Sequence, residues 1–463
     1  MNNNFEQIVM NNKEEIIKTL QELIQIKSVY DESTKTALTP FGKGINDALK
    51  YMEKKAKEDG FEVLNDNGYA LEISYGEGEK NVGVLCHLDV VPEGKNWMYP
   101  PYEARIVDNK IYGRGSTDDK GPLIASYFAL KFIKDANIKL KNKIKLILGT
   151  DEETAWRGIH HYLESHPLPD LGFSPDCSFP LVYGEKGRMA IDLKIKDVNK
   201  CAVSTDALIS LKGGERYNVV IDEATAIARI NVVDEFMKYL KENHLEGDVT
   251  EKDGKYEYFL KGTAAHAMEP EKGINAGTHL CNFFKNYTSN QLVKYVAENH
   301  HLDFNLNNMG LSYTDYEMGP ITCNIGIIDI NPDNTRVTLD IRYPERYDVE
   351  NFKKVYANIL SKYNLEITNF EHKVPHYVSP NSELVKALYE AYVKNTNDSA
   401  HKPFTVGGGT YASILENGVA YGMGFPYEEE LAHQPNEFLD IDSLLKGILI
   451  YIDAILATGD MDA

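Results

Sequence analysis

"KIKLILGTDEE", residues 143–153, runs an apolar strand-like stretch straight into three adjacent acids, Asp151, Glu152 and Glu153. A helix is expected just after it, near 155–164. The pattern has a precedent upstream, where "NVGVLCHLDVV" (81–91) is a buried strand ending in polar residues and a helix follows at about 121–134. Earlier still, "KEEIIKTLQELIQIK" (13–27) places Ile16, Ile17, Leu20, Leu23 and Ile24 at helical spacing, and residues 46–58 suit a second helix. Strand and helix alternating in this way define an α/β domain with a mainly parallel sheet and helices on both faces. In such sheets ligands sit at the carboxyl ends of strands, where the polar residues of this chain collect.

After "VYGEKGRMA" (182–190) the texture changes to longer strand-like runs such as "GKYEYFLKG" (254–262) and "TRVTLDIRYP" (335–344), with fewer helices. From "NSELVKALYEAYVKNT" (381–396) helices and short apolar strands return. The expected organisation is therefore a first domain in two parts, 1–183 and 374–463, interrupted by an inserted α+β domain at 184–373. A chain of 463 residues is long enough for two or three cores.

The formal charge of −21, from 49 basic and 70 acidic residues, argues against nucleic acid or an anionic membrane as partner. Cys86, Cys177, Cys201, Cys281 and Cys323 are odd in number and form no CxxC pair, so they read as reduced thiols of a cytoplasmic protein. The first residues lack the basic and apolar regions of an export signal, and no 18-residue apolar run occurs, so neither export nor membrane insertion is expected.

Four loops carry groups suited to chemistry. "CHLDVVP" (86–92) sets His87 and Asp89 two apart on extended chain, where they share a side and the acid can orient the imidazole. "YGRGSTDDKGP" (112–122) holds Asp118 and Asp119 in a glycine-rich turn that opens a helix. It has neither pattern of a phosphate loop, and its acids would repel phosphate. "SPDCSFP" (174–180) offers Asp176, and "LAHQPNE" (431–437) offers His433. Two histidines and several carboxylates without thiolate make a site for one or two hard-to-borderline divalent ions, Zn(II), Mn(II) or Co(II), with an Asp available to bridge a pair. His160, His161, His300, His301, His372 and His401 are assigned to the surface.

"HLDVVP", "GRGSTDDKGP", "TDEE", "SPD", "GEKG" and "AHQPNE", in this order and spacing, resemble the co-catalytic metallopeptidases that include aminoacylase, carboxypeptidase G, succinyl-diaminopimelate desuccinylase and carnosinase. Within that family the likeness is to the bacterial Xaa-His dipeptidases. The resemblance implies a catalytic domain of zinc-peptidase type with two divalent ions, most simply Zn(II). It implies that His87 and Asp176 hold one ion, Glu153 and His433 the other, and that Asp118 bridges them, with Asp119 as the alternative bridge. It implies further that Asp89 holds His87 and that Glu152 is the general base.

The inserted domain resembles the family's lid. "GTAAHAMEP" (262–270) would supply His266 to polarise the substrate carbonyl, and Arg342, on the polar face of "TRVTLDIRYP", would bind the substrate's C-terminal carboxylate. Asn218, and Gly409 with Thr410 in "GGGTYA" (407–412), resemble further substrate contacts. The long lid resembles a built-in substitute for a partner subunit, which implies a monomer whose own His266 completes the site. The activity so implied is hydrolysis of dipeptides with a free C-terminus. The alternatives are an N-acyl amino-acid deacylase of the same fold and a non-catalytic metal-binding protein. Asp151 is left with a structural hydrogen bond.

Overall fold

A computed structural model describes residues 4–196 and 206–461. Cys201 lies outside the described residues. The chain divides into two compact units, one of Met1–Gly184, Tyr377–Phe404 and Gly409–Ala463, the other of Glu185–His376 and Thr405–Gly408.

The first unit is built on a mixed sheet whose strands run in the spatial order Glu62–Asp66, Ala70–Tyr75, Lys143–Gly149, Asn81–His87, Leu171–Ser174, Gly418–Ala420 and Val182–Glu185. The four central strands are parallel, in a register that pairs His87 with Gly149 and Val419 with Phe173. The flanks are antiparallel, so the sheet is mixed rather than parallel throughout. A short turn at residues 67–69 joins the first two strands into a hairpin, which can only be antiparallel.

Alternation along the central strands feeds two cores. Val84, Cys86, Leu146 and Leu148 pack on one face with the helices Lys120–Asp135 and Ile441–Gly459. Leu85 and Ile147 pack on the other with the helix Arg157–Ser165 and with Tyr411. Helices thus cover both faces, as the alternating sequence predicts. Because the central strands are parallel, their carboxyl ends gather on one edge, and His87 and the residues after Gly149 arrive there together. Among the described residues no helix is long and apolar enough to cross a membrane.

The second unit is an eight-stranded sheet, ordered Glu246–Lys252, Lys255–Lys261, Glu223–Ala228, Leu208–Gly213, Thr322–Ile330, Thr335–Tyr343, Gly187–Ile195 and Leu365–Lys373, with every neighbouring pair antiparallel. Met189, Ile191, Val337, Leu339 and Ile341 point into one core with the helices Val233–Glu242, Ala276–Phe284, Gln291–Asn299 and Val349–Lys362. Arg188, Asp340 and Arg342 alternate to the opposite face.

Candidate metal centre

The loop after Asn81–His87, the turn before Lys120–Asp135, the loop after Lys143–Gly149, Asp176 and the 431–437 loop converge at the carboxyl edge of the parallel strands. The Nε2 of His87 is 3.0 Å from Oδ1 of Asp118 and 3.8 Å from Oδ2 of Asp176. The Nε2 of His433 is 2.9 Å from the other oxygen of Asp118 and 3.2 Å from Glu153. One carboxylate therefore faces a different histidine with each oxygen. Each histidine also has a second carboxylate of its own. The sets His87, Glu152, Asp176 and His87, Asp118, Glu153 each place one donor atom per residue within 4.8 Å of one another. Donors around an ion with bonds of about 2.0–2.2 Å stand roughly 3.3–3.5 Å apart, so the residues present fit divalent cations.

Asp119 does not share this arrangement. It is fully buried, and its Oδ2 accepts the backbone N–H of His87 at 2.9 Å. The doublet divides its labour, Asp118 facing the two imidazoles and Asp119 fastening the end of the strand that carries one of them.

Asp89 acts in two directions. The Nδ1 of His87 lies 2.9 Å from the Asp89 carbonyl oxygen and 3.6 Å from its carboxylate. The carboxylate oxygens accept the backbone N–H groups of Glu152, at 3.1 Å, and Glu153, at 3.0 Å. The acid expected to orient only the histidine therefore also sets the backbone of both glutamates. Asp151 turns away: it is buried and binds Arg157 through N–H, Nε and Nη2 at 2.8–3.0 Å.

Glu437 has no role in the sequence reading, although it ends the loop that carries His433. Fully buried, it accepts from Arg114 Nη1 at 2.7 Å, from the backbone N–H of Gly115, Thr117 and Asp118, and from the Thr117 hydroxyl. It grips the turn that presents Asp118. A glutamate immediately before a short strand, Phe438–Asp440, gives no sequence signal for that grip, because its partners lie more than three hundred residues away. Tyr411 was also missed: its ring meets His87 edge-on at 6.4 Å, and its buried hydroxyl has no hydrogen-bond partner among the described residues.

Crowding of like charges shapes the electrostatics. Burial raises the carboxyl pKa values of Glu152 and Asp176 well above the usual range, and nearby Asp118 adds to both effects. Burial opposes ionisation of Asp118 too, but hydrogen bonds from His433 and His87 overcome it and hold this carboxyl well below its ordinary value. Burial works against the charged form of His433, yet Asp118 and Glu153 raise its pKa to about 11. The two carboxylates thus favour a proton on His433, which an incoming cation would have to displace.

In the second unit, His266 is exposed, and its Nδ1 accepts the Met268 backbone N–H at 3.2 Å. That bond leaves the proton of the neutral ring on Nε2. The Asn218 carbonyl accepts from Ala267 N–H at 2.9 Å, tying that segment to the His266 loop. Arg342 donates to both oxygens of Asp340 and, from Nη1, to the Gly407 carbonyl at 3.0 Å. In the first unit Gly409 is exposed, while Thr410 is buried and its Oγ1 accepts from Ala412 N–H at 3.1 Å, capping the short helix Tyr411–Ile414. His300, expected on the surface, is instead buried against Tyr295 and Cys323, and burial lowers its pKa to about 4.

These features define a hydrolase of the metallopeptidase class. The sequence profile of Peptidase family M20/M25/M40 matches residues 83–457, and the chain belongs to that family. A Staphylococcus aureus (strain bovine RF122 / ET3-1) protein named "Putative dipeptidase" is 38% identical over 457 residues, covering 96% of this chain and 97% of its own length. Human carnosine dipeptidase 1 shares the fold with a TM-score of 0.58 at 16% identity, covering 98% of each chain. The M20 family metallo-carboxypeptidase Sso-CP2 from Sulfolobus solfataricus does so with a TM-score of 0.57 at 19% identity, covering 96% of this chain and 99% of its own.

Proposed function

We propose that the chain is a metal-dependent dipeptidase that hydrolyses short peptides with a free C-terminus. The observation that carries this reading is the Asp118 carboxylate, whose two oxygens face two different histidines while Glu152 stands in the same cluster. In this reading His87 and Asp176 would hold one divalent ion and His433 and Glu153 the second, with Asp118 available to both. Both ions are Zn(II). Bound there, such ions lower the pKa of water and polarise a carbonyl oxygen.

The chain's own groups do the rest. Glu152 takes the proton of the attacking water and returns it to the leaving amine. Asp89 keeps Glu152 and Glu153 diverging by holding their adjacent N–H groups. His266 donates Nε2–H to the developing oxyanion, a task for which the Met268 contact selects the right tautomer. Arg342 binds the substrate carboxylate, helped by Asn218, Gly409 and Thr410. In this reading the second unit, Glu185–His376 with Thr405–Gly408, serves as the lid domain.

The chain works as a cytoplasmic monomer. Both edge strands of the second sheet carry acids, Glu246, Asp248 and Glu251 on one and Glu366 and Glu371 on the other, which discourages edge-to-edge pairing of copies. The deciding experiment removes metal with a chelator and restores Zn(II), Mn(II) or Co(II) one at a time over dipeptides, tripeptides and N-acetyl amino acids. Metal-restored cleavage confined to dipeptides supports the reading. Preference for N-acetyl amino acids would replace it with a deacylase, and no cleavage of any member would leave a metal-binding protein.

A further inference from the structure

Two arginines face each other across neighbouring strands of the second unit. Arg188 on Gly187–Ile195 is the register partner of Arg342 on Thr335–Tyr343. Like charges directly opposite on an antiparallel pair are destabilising unless something lies between them. Here that something is Asp340, which is fully buried and two residues before Arg342, on the same face. Its Oδ1 accepts from Arg342 Nε at 2.5 Å, and its Oδ2 accepts from Arg342 Nη2 at 3.1 Å and from Arg188 Nε at 2.8 Å.

Counting charges and donors gives two results. Two guanidinium groups share one carboxylate, so the trio keeps one net positive charge. Of the five N–H donors of Arg342, three are engaged, on Asp340 and on the Gly407 carbonyl. Among the described residues the remaining two have no partner, one on Nη1 and one on Nη2. The side of the guanidinium that most often grips a carboxylate is thus already taken, and the terminal nitrogens are what a ligand can reach. Arg342 is only 8% exposed, so the direction in which it offers those nitrogens is set by the protein and not by solvent.

We propose that Asp340 is a positioning residue for substrate recognition: it turns Arg342 so that the two terminal nitrogens meet the C-terminal carboxylate of the substrate, while Arg188 restores the positive charge that Asp340 removes. This rests on the dipeptidase reading and adds the reason why only a free carboxylate completes the site. The carboxylate supplies the missing negative charge and two acceptor oxygens for two waiting donors.

Asp340→Asn separates positioning from simple charge. Removing the negative charge raises the trio from +1 to +2, so if Asp340 merely diluted the field, the variant would bind a carboxylate more tightly and KM would fall. If Asp340 positions Arg342, KM for a dipeptide rises about tenfold or more, with the loss in KM rather than kcat, and the preference for a dipeptide over its C-terminal amide shrinks by a similar factor. Arg188→Met raises KM in the same direction, by a smaller factor that narrows as salt is added. A KM that falls or holds in Asp340→Asn overturns the inference. If that variant does not fold, as judged by circular dichroism and bound metal, Arg342→Lys decides: a lysine keeps the charge and loses the directed pair, so undiminished preference for the free acid over the amide overturns the proposal. Wild-type protein that cleaves dipeptides and their amides equally well would instead remove the dipeptidase reading on which the inference stands.

Discussion

The two units organise charge in opposite ways. The first crowds Asp118, Glu152, Glu153 and Asp176 around two histidines and is short of cations. The second sets Arg188 and Arg342 about a single buried carboxylate and is short of an anion. Each imbalance would be costly in a purely structural cluster, where buried charges are paired or neutralised. In the proposed reading each cluster binds what it lacks: dications in one unit, a carboxylate in the other.

The largest effect is expected where the two halves of "EE" are separated. Glu152→Gln should lower kcat by about 10²–10⁴-fold while bound metal, measured by atomic emission, stays near that of the wild type. Glu153→Ala should lose metal as well as activity. Equal metal loss in both would end the division of labour proposed for the pair. The aspartate doublet breaks in the same way: Asp118→Asn should release metal, whereas Asp119→Asn should retain it and show its cost in thermal stability.

Next comes the grip on Asp118. Glu437→Gln should weaken metal affinity by about 10–100-fold in chelator competition, because supporting residues of a metal site act at that scale. The same imbalance predicts a pH dependence. His433 with its pKa raised to about 11 is protonated at neutral pH before cations bind, and an imidazolium cannot be a ligand. Metal loading at pH 7 should therefore release protons, and affinity should climb with pH; calorimetry in buffers of different ionisation enthalpy reads the count. A release of zero would mean that the histidines are not displaced. The smallest effect is expected furthest from the ions. Arg157→Ala takes from the buried Asp151 its two side-chain donors, Nε and Nη2, leaves it only the backbone N–H of residue 157, and should cost about 1–3 kcal/mol in denaturant unfolding, with metal content unaffected.

Much of the first unit could be read in the chain because its signals are local. The runs 81–91 and 143–150 are strands in the structure, Asn81–His87 and Lys143–Gly149, each followed by the expected helix. Parallel pairing then brings their ends together without further instruction. Edge strands were harder, since the antiparallel flanks depend on turn length and partner choice rather than on the period of apolar residues. Asp89 shows the same limit at a single residue. Its spacing from His87 puts the two near each other, but a spacing of two says nothing about the N–H groups of Glu152 and Glu153 that its carboxylate holds.

What the sequence determined by itself was a list of chemistry: alternating strands and helices, two histidines with their acids, a glutamate beside the ligands, and an arginine on the polar side of a strand. Only the tertiary structure decided how these share their atoms. Asp118 rather than Asp119 meets both histidines, Asp151 serves Arg157, Glu437 holds a turn from the far end of the chain, and Asp340 leaves Arg342 two donors out of five. The physical reason is that hydrogen bonds are directional and limited in number, so which partner takes each one depends on where distant segments come to rest.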